Sequence, residues 1–145
     1  MTTLTPLLLA ALAAAGPRPD RARPPRALHF DLPGGFVQQE GRIEGQPVAL
    51  ATGPDGEAVA VLVRDAPAAL ECGRSDGARR GLVPLRTRGG IDGCLAVRRD
   101  GDGALALAQV SSPRASATVA VLAPDEATAR DLALQVAGSL RAAGR

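Results

Sequence analysis

Gly93-Cys-Leu-Ala-Val-Arg-Arg-Asp-Gly-Asp-Gly-Ala-Leu-Ala-Leu-Ala-Gln-Val110 decides the fold. Gly93 to Arg99 reads as one strand and Ala104 to Val110 as its partner. Between them stands Asp100-Gly101-Asp102-Gly103, whose central residues suit the positive φ of a tight hairpin turn. Two strands joined by so short a connection must run antiparallel, because a parallel pair needs a crossover of a dozen residues or more.

The same pattern extends outward in both directions. Upstream, Leu28, Phe30 and Leu32 alternate, which predicts a strand over 28–32. Pro33-Gly34-Gly35 ends it and Phe36-Val37 resumes. Pro47 to Thr52 and Glu57 to Arg64 flank Gly53-Pro54-Asp55-Gly56, a second hairpin in which Pro fixes φ and Gly supplies the turn. Ala66 to Cys72 is short enough for one or two helical turns from Pro67. Gly73 to Gly77 is a loop, and Leu82, Val83 and Leu85 give at best a short strand within 79–87. Downstream, Ser116 to Ala123 is a strand with Val119 and Val121 on one face. Pro124-Asp125-Glu126 then opens a helix expected to run to about Ala143. Leu132, Val136 and Leu140 form its apolar stripe, Arg141 suits its C-terminal end and Gly144 its stop.

These elements define a small single-domain α+β fold, an antiparallel β-sheet with a long C-terminal helix packed on it. Ala58 and Ala60 alternate with Val59, Val61 and Val63, and Ala104, Ala106 and Ala108 alternate with Leu105 and Leu107. The expectation is that the large residues lie under the helix and that the Ala face is partly covered.

The chain opens on Met1-Thr-Thr-Leu-Thr-Pro-Leu-Leu-Leu-Ala-Ala-Leu-Ala-Ala-Ala-Gly16. Leu7 to Ala15 is uncharged and apolar, too short to span a bilayer, and ends in small residues before Gly16-Pro17. It reads as a secretory signal peptide over 1–15, although no Lys or Arg precedes the apolar run. Residues 16–27 carry four Pro and four Arg against one Asp and read as an extended linker. The folded domain is expected over 28–145. Its 13 Arg face 14 acidic residues, so the chain's formal charge of +2 arises in the linker. A domain without a basic imbalance and with two aromatics, Phe30 and Phe36, lacks the equipment for nucleic acid. Membrane contact is expected at most through the leader or the basic linker, as periplasmic or secreted localisation allows.

In an exported chain the two cysteines, Cys72 and Cys94, read as a disulfide. In the chain-entropy model the closed loop of about 22 residues between them stabilises by roughly 3 kcal/mol. Without a C-x-x-C or a ligand cluster, redox catalysis, a bound metal or another cofactor is not expected. Gly73-Arg-Ser75-Asp-Gly77 matches G-x-S-x-G, yet the flanks supply neither the strand nor the helix of a nucleophile elbow. The single His29 lies upstream of Ser75, on the polar face of its strand. A triad of His29, Asp65 and Ser75 can be written in chymotrypsin-like order, but the domain is too small for two barrels. Asp100-x-Asp102 resembles the start of a calcium loop, with Leu105 where Gly is needed and Ser111 where a bidentate Glu is needed; it is a hairpin turn. The spacing of Glu40 and Glu44, or of Asp125 and Glu126, singles out neither pair for acid–base work.

Phe30, Leu32, Pro33, Gly35 and Phe36, with Ser139 and Leu140 closing the helix, resemble the signatures of the Mog1/PsbP/DcrB-like superfamily. The resemblance covers about residues 28–142. It implies an α/β/α sandwich that binds or helps assemble other proteins, and it brings no catalytic residues. That superfamily usually carries a helix between its early and late strands, where this chain has the short, Gly-interrupted stretch 66–81. The resulting expectation is an exported cell-envelope accessory or binding protein, not an enzyme, with a protein partner. Three alternatives stand beside it: a small serine hydrolase using Ser75, an extracellular inhibitor presenting the 73–81 loop, and a cytosolic secretion adaptor chaperone if the leader is not one.

Overall fold

A computed structural model describes residues 28–70, 72 and 81–142. The expected leader, the linker and Ser75 lie outside the described residues. Seven strands form one antiparallel sheet: β2 (Val37–Ile43), β3 (Gln46–Thr52), β4 (Ala58–Arg64), β5 (Val83–Arg86), β6 (Asp92–Asp100), β7 (Gly103–Ser111) and β8 (Ser116–Ala123). Their order across the sheet is β2-β3-β4-β8-β7-β6-β5. The single helix among the described residues, α1 (Glu126–Gly138), packs on β6, β7 and β8. Two short strands, β1 (Leu28–His29) and β9 (Arg141–Ala142), pair with each other. The small α+β fold with its C-terminal helix is as the sequence predicts.

The deciding hairpin closes on Asp100 opposite Gly103, so its turn residues are Gly101 and Asp102. Gly101 takes φ 61°, which puts the positive φ at the first central position of the turn, the type II′ arrangement. The remaining strand expectations also fall on strands, with two differences. Only Leu28 and His29 of the first strand are paired, while Phe30 and Leu32 still pack on the core. A whole strand follows where the sequence indicates only Phe36-Val37: β2 continues to Ile43 and turns through Glu44 (φ 51°) and Gly45 (φ 80°) into β3. Pro67 to Leu70 form no helix.

The expected split between large and small residues holds in β4, where Val59 and Val61 lie on the helix side and Ala60 opposite, and is overturned in β7, where the alanines lie on the helix side. Ala49, Ala51, Ala104, Ala106, Ala108 and Ala117 face the helix, together with Val59, Val61, Val119 and Val121. Leu50, Leu62, Leu107 and Leu122 lie on the opposite face with Val48, Ala60 and Ala120. Ala106, Ala129 and Ala133 are completely buried. Small side chains on β7 let the helix sit close to the centre of the sheet, and the valines of β4 and β8 fill the space beside it. Close packing selects total volume at each position, so the large residues need not all lie on one face.

The helix also ends earlier than expected. It stops at Gly138, and Arg141 belongs to β9 rather than to a helical C-terminus; Gly144 lies outside the described residues. The cause is Ser139. Its Oγ donates to the Val136 carbonyl at 2.6 Å and accepts from the Asp31 N–H at 2.8 Å. The hydroxyl competes with the helical backbone for that carbonyl. Leu140 then turns fully into the core, so a position that fits the helical stripe is buried from outside the helix.

Candidate functional site

Three places gather polar or reactive groups. The first is a clasp between the two ends of the domain. Ser139 is 3% exposed, and every contact of its hydroxyl is to backbone groups of Asp31 and Val136. The Arg141 guanidinium meets the Asp31 carboxylate at 3.2 and 3.3 Å and donates to the Ser139 carbonyl at 3.0 Å. Arg88 N–H donates to the Gly138 carbonyl at 2.8 Å, which satisfies one orphan acceptor of the helix end. Gly89 is required here: a Cβ on it would come within 2.9 Å of the Arg141 Cα. His29 sits opposite Arg141 in the β1–β9 pair and is exposed. The serine of this clasp is a structural joint, with its hydroxyl proton and one acceptor lone pair committed to the main chain.

The second place is the disulfide. Cys72 and Cys94 are joined, with Cα atoms 5.7 Å apart, as the sequence predicts. Leu95 belongs to the helix-side core, so its neighbour Cys94 points to the opposite face of the sheet. Ser111 lies on that face too, alternating with Val110, and its Oγ accepts from the Ala68 N–H at 2.8 Å. The chain leaving β4 therefore crosses the ends of β8 and β7 on the face away from the helix. It is fixed at Ala68 by a hydrogen bond and at Cys72 by the covalent bridge. Ser75 and residues 73–80 of the expected presenting loop lie outside the described residues.

The third place is the start of the helix. Asp125 caps it, with Oδ1 accepting from the Thr128 N–H at 2.8 Å and Oδ2 from the Thr128 hydroxyl at 3.0 Å. These bonds, the backbone one foremost, hold its carboxyl below the usual value. Asp125 and Glu126 are thus a cap and a first-turn acid. Glu40 lies in β2 and Glu44 in the adjoining turn. Asp100 ends β6 and Asp102 stands in its hairpin turn, as the turn chemistry predicts. Among the described residues no three His, Cys, Asp or Glu gather to hold a metal, and no helix is long and apolar enough to cross a membrane.

Ser139 closes the helix in the sequence pattern, but its bond to Asp31 has no local sequence signal. The useful signal was a Gly138-Ser139 pair interrupting a helical stripe. β2 is hidden in the sequence because Gln38-Gln39-Glu40-Gly41 has no apolar alternation. Glu44-Gly45 between two short stretches was the available turn signal.

No family model and no curated protein matches the sequence. A crystal structure of a protein from Bacteroides thetaiotaomicron is similar in fold, with a TM-score of 0.59 at 13% sequence identity. The match covers 82% of this chain and 46% of that one, so this chain spans less than half of that protein's length. At such identity the likeness concerns the fold alone.

Proposed function

We propose that the chain is an exported accessory or binding protein of the cell envelope, working through a protein partner and not as a catalyst. The Cys72–Cys94 bridge carries this reading. A covalent bridge is kept where the surroundings are oxidising, such as the periplasm or the extracellular space. The apolar Leu7–Ala15 run supports the same address. The assembly role is what the Mog1/PsbP/DcrB-like resemblance of Phe30, Leu32, Pro33, Gly35, Phe36, Ser139 and Leu140 implies; the α/β/α sandwich it also implies differs from the described residues, whose single helix lies on one face of the sheet.

Intact mass of the protein recovered from its host tests the address. A chain starting near Gly16 and two protons light is the expected result. A mass counted from Met1 with two free thiols overturns it and favours a cytosolic adaptor. Labelling with a fluorophosphonate tests the absence of catalysis: labelling that disappears in Ser75→Ala would make the protein a serine hydrolase. The inhibitor reading has one observation in its favour, since the bridge anchors the chain one residue before the 73–81 loop. Inhibition of any member of a protease panel, abolished by reduction, would support it over the accessory role.

A further inference from the structure

The sheet face away from the helix carries Val48, Leu50, Ala60, Ala120 and Leu107, and in the middle strands this apolar surface gives way to a polar block. Ser111 of β7 lies opposite Ser116 of β8, and Gln109 opposite Thr118. All four alternate with Ala108, Val110, Ala117 and Val119 of the helix-side core, so they share the other face. The Ser112 N–H donates to the Ala115 carbonyl at 2.7 Å, and that pair closes the β7–β8 turn. Ser111–Ser116 and Gln109–Thr118 are then non-hydrogen-bonded pairs of the ladder, whose side chains stand close together. On the other side of Ser116 is Arg64 of β4, which alternates with core-packed Val63 and so lies on the same face. The hydrogen-bonding capacity of this block is largely unspent. Ser116 is 4% exposed. Neither its hydroxyl nor the side chains of Thr118, Gln109 and Arg64 have a hydrogen-bond or ion-pair partner among the described residues. Ser111 accepts from the Ala68 N–H at 2.8 Å, which leaves its own proton to donate. A buried hydroxyl without a partner is a cost to the fold that a bound polar group removes. Solvent reaches the block, since Arg64 is exposed and Ser111, Gln109 and Thr118 are half-buried.

We propose that this block binds a small oxyanion, a carboxylate or a phosphate. The Arg64 guanidinium supplies the positive charge, in a fork that matches two oxygens of either group. The hydroxyls of Ser111, Ser116 and Thr118 and the Gln109 amide nitrogen supply neutral donors, and hydroxyl protons turn to suit the ligand. A cation is disfavoured by Arg64, and an uncharged ligand leaves the guanidinium without a counter-charge. Two carboxylates stand nearby. Asp92 of β6, opposite Ser111, lies 3.8 Å from the Arg86 guanidinium, which offsets its charge. Asp65 follows Arg64 just outside β4 and is exposed.

Titration of the isotope-labelled chain with sodium phosphate and, separately, with sodium acetate tests the proposal, each against sodium chloride at equal ionic strength. Saturable amide shifts centred on Arg64, Gln109, Ser111, Ser116 and Thr118 are expected. Saturation by phosphate alone makes it a phosphate site, and saturation by acetate a carboxylate site. Arg64→Gln, a change at an exposed position, should bind at least about tenfold more weakly, and so should Ser116→Ala. Thermal melts give a second readout. In chloride Ser116→Ala should melt no lower than the native chain, because its hydroxyl has no partner there. With the anion added, the native chain should gain more stability than either variant. Shifts that fail to saturate with both anions, or that centre elsewhere, overturn the proposal. So does native affinity in Arg64→Gln, or a Ser116→Ala melt lowered in chloride, which would show the hydroxyl bonded without the anion.

Discussion

Ser139 holds together two stretches 108 residues apart. Replacing it with Ala removes the acceptor of the Asp31 N–H and the donor to Val136, and leaves a part-buried N–H unpaired. A loss of about 1–3 kcal/mol is expected, read as a lower urea midpoint. The neighbouring Arg141–Asp31 pair is about half exposed on both sides, so Arg141→Ala should cost far less. Asp125 adds a pH dependence of known sign. Its folded carboxyl sits below the ordinary value, so the charged cap stabilises at neutral pH. That contribution is lost as pH falls through the ordinary carboxylate range to the folded value. Asp125→Asn keeps a side-chain acceptor and loses the charge. The stability gap between native and variant, followed by urea titration at several pH values, should be present at pH 7 and shrink in acid.

At the scale of elements, Ala106 lies in β7 under the helix and is completely buried. Ala106→Leu pushes three more carbons into a space that already holds Ala129 and Ala133. A destabilisation of about 1–3 kcal/mol is expected, with thermal unfolding as the measurement. The same strand shows why the hairpin was legible in sequence and the layering was not. Alternation over 104–110 reveals a strand and its two faces, and Gly101 reveals the turn. Which face meets the helix depends on the space left by β4 and β8, and that is a property of the assembled sheet. The helix start was legible because Pro124-Asp125 is local capping chemistry. Its end was not, because Ser139 answers to Asp31, far away in sequence. β2 was hidden for a related reason. An edge strand on the polar rim needs no apolar alternation, and Glu44 adopts a positive φ that is uncommon for its residue type.

For the whole molecule, the long step from β4 to β5 is tied down at two described points. It leaves the centre of the sheet and arrives at the far edge. Between these ends the described tethers are the Ala68–Ser111 hydrogen bond and the Cys72–Cys94 bridge. One weak bond and one covalent bond are not equivalent. Cutting the bridge frees a connection of some twenty residues and leaves β5 held by its pairing with β6 and by Leu85 packed on the core. Closing a loop of 22 residues in the unfolded chain is worth roughly 3 kcal/mol. The variant Cys72→Ala/Cys94→Ala should lose about that much global stability in urea. Hydrogen exchange should locate a second, uneven effect. Amides of β5 and of 66–70 should lose protection well beyond the global change, because they can open while the rest stays folded. Amides of β8 and the helix, which lie further from the bridge than β6 and its partner β7, should shift only by the global amount. A uniform loss across the sheet would mean that the bridge acts on the unfolded chain alone and that the crossover is held by packing.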